Sequence, residues 1–200
     1  MHIAEGVLSL PVLVSGAAIA TAGTAYGIKK LSFETIPRCG IVSAALFVAS
    51  LIHVNLGATS VHLVLGGLGG ILLGWSLFPA FLVALLLQAV LFQFGGLIVL
   101  GVNVTNMALP GILAGMIGRA MLKANINPFI CGFTSGLLGI LGSAACVAIS
   151  LLFRGEAFMT SAVMITSAHL PVMIIEGIVT GFIVSYLSKT DKTFLEGGIK

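Results

Sequence analysis

Charged side chains are scarce in this chain of 200 residues. Asp, Glu, Lys and Arg make up 8% of it, against about 25% in an ordinary soluble domain, whereas hydrophobic residues make up 58%. So few charges cannot cover the surface of a water-soluble globule. The composition therefore excludes soluble enzymes and nucleic-acid binders, and it predicts an all-α integral membrane protein in a lipid bilayer.

Cysteine is also scarce. Cys39, Cys131 and Cys146 lie far apart in or beside apolar runs, without CxxC spacing, which argues against a disulfide framework and a thiolate metal site. The N-terminus has no basic n-region and no cleavage site typical of a signal peptide. We therefore expect the chain to keep its own first residue.

Catalytic and nucleotide-binding motifs are absent from the sequence. It contains no GxxxxGK[ST], HExxH or GxSxG pattern. Ser60 and His62 are too close in sequence to face each other on a helix, so they do not suggest a Ser-His hydrolase. We expect a protein that is not an enzyme, and one whose energy for any transport comes from a partner protein.

Apolar runs fill most of the length and divide the chain into seven candidate spans. They cover residues 8–28, 40–54, 61–74, 76–93, 105–122, 128–152 and 168–187. A straight crossing needs about 20 residues, so the 61–74 run is short, and Asn55 to Ser60 must either complete this span or form an irregular segment. Residues 94–104, with two glycines before Asn103, suggest a loop lining a cavity. No linker is evident, so residues 1–200 are expected to form one domain.

The basic residues indicate the orientation of the chain. Seven spans with the N-terminus outside place eight of the nine Lys and Arg residues at the cytoplasmic side, and Arg154 alone outside. This distribution follows the positive-inside rule. We therefore predict seven transmembrane helices, an outer N-terminus and a cytoplasmic C-terminus.

The same topology places all four histidines, His2, His53, His62 and His169, at the outer face. An N-terminal amine, the backbone nitrogen of residue 2 and the His2 imidazole can form two fused chelate rings around a metal. The ligands of this site would be Met1, His2 and, as the fourth nitrogen donor, His62. Square-planar nitrogen coordination favours Ni²⁺ or Cu²⁺.

Other polar residues near the outer face are candidates to hydrogen-bond the ligands or to line an entry path. They are His53, Ser60, Asn103, His169 and Glu176. An ionisable residue inside a span, such as Glu176, is a functional candidate by default. The alternative is that Glu176 is a buried carboxylate that fixes helix packing through hydrogen bonds.

Several motifs together resemble the CbiM/NikM family of substrate-specific components of energy-coupling factor transporters. They are the start Met1-His2-Ile3-x-Glu5-Gly6, the Gly57-x-Thr59-Ser60-x-His62 segment, Gly95-Gly96-x(4)-Gly101-x-Asn103, and His169-Leu170-Pro171 leading into Glu176-Gly177. The similarity extends from residue 1 to about 187.

The resemblance implies a seven-helix component of the plasma membrane whose N-terminal segment, residues 1–7, folds into the core. It also implies Co²⁺ or Ni²⁺ as the transported ligand, held by Met1, His2 and His62, and no organic cofactor. The implied partners are a transmembrane coupling subunit and two cytoplasmic ATPases. A face of small residues on the second span could bind the coupling subunit: Gly40, Ala44, Ala45 and Ala49.

The chain departs from the family pattern in two places. Phe94 precedes the double glycine where many relatives carry an acidic residue, and Ser60-Val61-His62-Leu63 replaces a Ser-His-Pro-Thr-Gly run. A small accessory membrane subunit is expected as a separate protein. Two other functions stay open: a membrane metalloenzyme with Zn²⁺ at the outer histidines, and a component or carrier for an organic solute.

Overall fold

The computed structural model describes residues 2–56, 59–153 and 159–196. Within them the chain forms helices joined by short loops, a two-stranded antiparallel hairpin and one 3₁₀ turn. The elements are α1 (Leu10–Lys29), α2 (Ile36–Leu51), β1 (His53–Leu56), β2 (Thr59–His62), α3 (Gly66–Leu73), the turn Gly74–Ser76, α4 (Leu77–Phe92), α5 (Leu100–Lys123), α6 (Pro128–Leu152), α7 (Met159–Thr190) and α8 (Lys192–Glu196).

Local sequence signals set several helix boundaries. Proline lies in the first turn of α1, α2 and α6, where its fixed φ suits the helix and its missing N–H is not needed. The Asn127 side chain accepts a hydrogen bond of 2.9 Å from the Phe129 N–H and caps α6. Lys29 and Lys123 end α1 and α5, where a cation matches the helix dipole.

The distribution of polarity is that of a membrane protein. Five stretches are long and apolar enough to cross a bilayer: Leu10–Lys29, Gly66–Phe92, Leu100–Lys123, Pro128–Leu152 and Ser167–Thr190; Ile36–Leu51 is a shorter apolar helix. Large apolar side chains such as Leu10 and Phe182 are 72% and 65% exposed, whereas Glu176 and Thr180 are fully buried. The predicted helical membrane fold is confirmed.

The Gly66–Phe92 stretch is two helices and not one. Gly74 has a φ of +57°, a left-handed conformation that glycine adopts without strain. The Leu77 side chain packs against both Gly69 and Gly111. In one continuous helix Leu77 would lie about 12 Å along the axis from Gly69, so the chain must fold back at Gly74. The helical parts of the apolar runs 61–74 and 76–93 are therefore two separate helices, α3 and α4.

Helix α3 lies at the centre of the molecule, and all of its residues are buried. A side chain at Gly70 would clash with the backbone of Gly111 and Gly115 on α5. On the other side, the Ser135 hydroxyl of α6 donates to the Gly67 carbonyl at 3.0 Å. Small residues let helices approach closely where lipid supplies no hydrophobic drive, and here they enclose α3 between α5 and α6.

Two predicted irregular segments differ from the structure. Where an irregular segment is one alternative for the residues before the 61–74 run, residues 53–56 and 59–62 pair as the antiparallel strands β1 and β2, with His53 opposite His62. The loop expected over residues 94–104 ends early, because α5 begins at Leu100. Asn103 and Asn106 therefore both lie on this helix. Asn103 is stable in the helix since its side-chain amide has partners outside the helix.

Candidate metal centre

The N-terminal segment before α1 is held in the protein by one side chain of α5. Asn103 accepts a hydrogen bond from the Ile3 N–H at 3.0 Å and donates one to the Ile3 carbonyl at 3.2 Å. Both residues are buried, at 2% and 4% exposure. The side-chain amide therefore pairs with the backbone of Ile3 as a neighbouring strand would, which fixes the position of the residue next to His2.

The loop between α4 and α5 contacts the same segment. Gly95 has a φ of +78° and lies against Asn103 and His2, and Gly96, with a φ of +136°, lies against Glu5. The Glu5 carboxylate accepts a hydrogen bond of 3.0 Å from the Ile98 N–H. A Cβ at Gly96 would overlap the Glu5 side chain, and one at Gly95 would crowd the Asn103 amide that holds Ile3, so the double glycine allows the N-terminal segment to dock.

These contacts bring His2 to His62. The two imidazole rings stack with centroids 4.7 Å apart and an interplanar angle of 19°. Phe94 also stacks on His2, with centroids 6.2 Å apart. Phe94 therefore supplies an aromatic wall where an acidic residue was noted to be missing, and the predicted ligands His2 and His62 are neighbours in the structure.

The surroundings of His2 keep its imidazole neutral. Burial is the largest cause that holds the pKa of His2 well below its usual value, and the nearby His62 ring adds to it. The buried Gln88 side chain has a smaller, opposite effect. A neutral imidazole keeps a lone pair, which a metal ligand requires.

His62 ends strand β2 and is 5% exposed. Its Nδ1 lies 2.8 Å from the Leu63 carbonyl. Because a carbonyl oxygen only accepts, Nδ1 carries the proton in this conformation and the lone pair is on Nε2. A backbone carbonyl that fixes the tautomer is a common feature of metal-binding histidines.

Glu176 supports the chain just after His62. Its carboxylate is fully buried and accepts hydrogen bonds from the backbone N–H groups of Val64 and Leu65. Leu65 has a φ of +51°, so the chain turns sharply here between β2 and α3. Glu176 thus provides the acceptors that this irregular backbone needs inside the membrane. This arrangement is consistent with the second interpretation of Glu176, a buried carboxylate that fixes helix packing through hydrogen bonds.

The other predicted site residues fall in different places. His169 is 1% exposed on α7, seven residues before Glu176 and so about 10 Å along the helix. Met1 lies outside the described residues. The structure gives the backbone of His53 and Ser60 in the hairpin, and their side chains lie outside the described part.

The predicted partner-binding face on α2 is shorter than expected. Gly40, Ala44 and Ala45 are exposed, and nothing packs against Gly40. Ala49 is 7% exposed and belongs to the core, because it turns toward the centre of the bundle. The exposed part of this face therefore ends at Ala45.

Sequence reasoning missed Gln88, which lies beside His2 and is 2% exposed. The available signal was an amide in the middle of the apolar 76–93 run, whose other amide, Gln93, is its last residue. No group of three or more His, Cys, Asp or Glu side chains within the described residues could hold a metal ion. The predicted site uses only two imidazoles, and its other donors are main-chain nitrogens.

The arrangement of the N-terminal segment, hairpin and helices can be compared with known proteins. The sequence profile described as "Cobalt uptake substrate-specific transmembrane region" matches residues 2–194. The chain belongs to the CbiM family. The match includes His2, His62 and Asn103, and so nearly the whole of the site.

Two relatives and one solved structure are similar to this chain over most of their length. A Haemophilus influenzae protein named for metal transport is 39% identical over 193 residues, 94% of each chain. The cobalt transport protein CbiM of Sorangium cellulosum is 29% identical and covers 94% of this chain and 91% of its own. A solved transition metal transporter superposes with a TM-score of 0.82 at 29% identity, over 96% of this chain and 94% of that one.

Proposed function

We propose that this member of the CbiM family is the substrate-binding membrane component of an ATP-driven importer for Co²⁺ or Ni²⁺. The ion is the substrate. Its ligands are the Met1 amine, the backbone nitrogen and imidazole of His2, and the imidazole of His62. The family description and the names of the relatives, which include cobalt and nickel transport proteins, support these ions.

The observation that carries the proposal is the contact between His2 and His62. Sixty residues separate them in sequence, and their rings stack at 4.7 Å. The Asn103 hydrogen bonds to Ile3 hold His2 there. Docking of the N-terminal segment against a second histidine supports the chelate, because nitrogen ligands in one plane suit Ni²⁺ and Cu²⁺ better than Zn²⁺.

The proposed orientation places this site at the outer face and the C-terminus in the cytoplasm. The basic residues support it, since Lys29, Lys123 and Lys189 end helices at the face opposite the histidines. Energy for uptake comes from a coupling subunit and two ATPases, and a separate small membrane subunit completes the complex. Gly40, Ala44 and Ala45 form the proposed contact with the coupling subunit.

The Glu176 carboxylate argues against the alternative of a zinc enzyme. A carboxylate that acts as the general base on a metal-bound water must lie within hydrogen-bond reach of that water. Glu176 instead accepts hydrogen bonds from Val64 and Leu65. Its position therefore supports a structural role beside the binding site.

The proposal is tested by inserting two leucines between Met1 and His2, which moves the imidazole to position 4 and leaves a bulky residue after the initiator methionine. The insertion breaks the fused chelate rings but keeps both residue types. We expect Ni²⁺ and Co²⁺ affinity, measured by calorimetry on the purified chain, to fall by at least about 100-fold, the upper end of what a lost supporting contact costs. Unchanged affinity would refute the chelate.

A second test separates His62 from the other histidine of the hairpin. His62→Ala removes a proposed ligand, whereas His53→Ala is the matched control on the paired strand. We expect a much larger loss of Ni²⁺ affinity for His62→Ala. Equal losses in the two variants would identify a different fourth ligand.

The transport part of the proposal has its own test. Vesicles that contain this chain alone should accumulate little Co²⁺ or Ni²⁺ against a gradient, because the chain has no nucleotide-binding motif. Active accumulation by the lone chain would indicate a secondary carrier and would leave the binding site intact.

A further inference from the structure

Two neighbouring cavities lie at the face of the molecule opposite the histidines. One, of about 360 Å³, is lined by Arg119, Lys123 and Lys192, and the other, of about 270 Å³, by Lys30, Arg38 and again Arg119. Arg119 follows Asn103 by 16 residues on α5, which places it about 24 Å along the helix. The cavities are therefore remote from the proposed metal site.

Cationic side chains line both cavities. Neither has an Asp or Glu among the described residues that line it. Asp191 lies between α7 and α8, but its carboxylate accepts hydrogen bonds from the Thr193 hydroxyl and the Phe194 N–H. The carboxylate thus caps α8, and it also attracts the Arg38 guanidinium, although it is not among the residues that line either cavity.

One hydrogen-bond donor of Arg38, at the second cavity, has no partner among the described residues. One terminal nitrogen donates to the Thr193 carbonyl at 3.4 Å, and the guanidinium lies 4.4 Å from the centre of the Phe194 ring. The other terminal nitrogen, Nη1, is buried and has no hydrogen-bond partner among the described residues. A buried cationic donor of this kind matches an anionic oxygen ligand.

Aromatic residues place the second cavity at the membrane interface. Tyr26 and Trp75 line it and pack edge to face with ring centroids 5.2 Å apart. They are 44% and 41% exposed, and the Lys30 ammonium lies 5.5 Å from the centre of the Tyr26 ring. Trp and Tyr concentrate where lipid headgroups meet the hydrocarbon.

The first cavity combines its charges with apolar walls. Leu122, Ile126 and Leu195 line it together with Asn125 and Ser188. A free inorganic anion gains nothing from contact with apolar walls. The glycerol and first methylene groups of a lipid, by contrast, are stabilised when such walls bury them. Basic pockets between transmembrane helices are a known setting for anionic lipid headgroups.

We propose that these two cavities, joined at Arg119, bind the phosphoryl headgroup of an anionic phospholipid. The ligand is a lipid of the leaflet that meets the basic end of the helices. Binding there contacts α1, α2, α5 and α8 at once, so it ties the short α8 to the bundle. The inference is independent of the proposed metal site.

Trp75 provides the test, because it is the single tryptophan of the chain and lines the second cavity. The full chain is placed in vesicles that mix phosphatidylcholine with brominated phosphatidylglycerol, or the reverse, and quenching of Trp75 fluorescence is measured. We expect brominated phosphatidylglycerol to quench more strongly at equal fractions. Equal quenching by the two lipids would overturn the proposal.

Matched variants separate the cavities from general surface charge. Lys30→Gln with Lys123→Gln removes one lysine from each cavity. Lys29→Gln with Lys189→Gln removes the same charge from exposed positions of the same face outside both linings. We expect the first pair to reduce the preference for phosphatidylglycerol by at least about tenfold more than the control pair, since every surface lysine attracts anionic lipid but only the cavity lysines add hydrogen bonds to the charged headgroup.

Two further outcomes would contradict the inference. Equal losses in both pairs would show attraction to the surface without a site. Displacement of phosphatidylglycerol by millimolar inorganic phosphate would show a site for free anions. Metal affinity of the variants, measured in parallel, should equal that of the parent chain, so failure of the lipid site and failure of the metal site give different results.

Discussion

Asn103 shows how one side chain can replace a strand edge inside a membrane protein. Its amide donates to and accepts from the backbone of Ile3, next to the proposed ligand His2. Asn103→Ala removes both hydrogen bonds, each worth about 1 kcal/mol net, so Ni²⁺ affinity should fall by about 30-fold. Calorimetry on the purified chain measures this loss.

Asn106 offers the matched control on the same helix. Its side chain donates to the Ser150 hydroxyl at 3.2 Å and is 6% exposed, and within the described part of the chain its hydrogen bond is to α6 and not to the N-terminal segment. Asn106→Ala should lower thermal stability and leave metal affinity nearly unchanged. If both alanine variants lose the same affinity, the Asn103 contact with Ile3 is not what positions His2.

Gly96 makes a second prediction for a single residue. Its φ of +136° is strained for any other residue, and a Cβ there would overlap the Glu5 side chain. Gly96→Ala should therefore cost about 1–3 kcal/mol and lower metal affinity, because the N-terminal segment must shift. Gly40→Ala is the control: the position is open and helical, so stability should rise by up to about 1 kcal/mol. A neutral Gly96→Ala in thermal unfolding and calorimetry would contradict this account.

Among the elements, the junction between β2 and α3 depends on a carboxylate from α7. Glu176 accepts hydrogen bonds from Val64 and Leu65, directly after His62. Glu176→Ala leaves these N–H groups without an acceptor, at a cost of about 1–3 kcal/mol each. We expect a lower unfolding temperature in detergent and weaker Ni²⁺ binding.

Glu176→Gln keeps an oxygen that can accept the same hydrogen bonds. It should therefore retain most of the stability and affinity that Glu176→Ala loses. A glutamine variant as damaged as the alanine variant would show that the negative charge itself matters at this position. The pair thus distinguishes a backbone acceptor from an electrostatic attraction for the cation.

The sequence was informative about helices because lipid leaves few alternatives. Apolar runs with prolines and lysines at their ends predict helix positions well, as α1 and α6 show. The start of α5 was missed because glycines and an asparagine suggested a loop, and only the distant Ile3 backbone explains Asn103 in a helix. The β1–β2 pairing also could not be predicted from the local sequence, because a short hairpin inside a bundle depends on tertiary packing.

At the scale of the whole molecule, the site joins parts that are remote in sequence. The two imidazoles could be predicted from chain position and donor chemistry, and the structure brings them together. The positions of Gln88 and Phe94 beside His2 could not be predicted from the sequence. They depend on how α4 and the loop after it pack on the N-terminal segment. Polar groups at one end and basic cavities at the other give the molecule two chemically different faces.

The proposed orientation of these faces can be measured on α5 alone. Leu97 and Ala124 are exposed positions just before and just after this helix. In a chain whose three native cysteines are replaced by alanine, Leu97→Cys should react in intact cells with a thiol reagent that cannot cross the membrane. Ala124→Cys should react only after the membrane is opened, because positive residues cluster at its end of the helix. The reverse pattern would invert the topology and place the histidines in the cytoplasm, and reaction of both cysteines from outside would show that α5 does not cross.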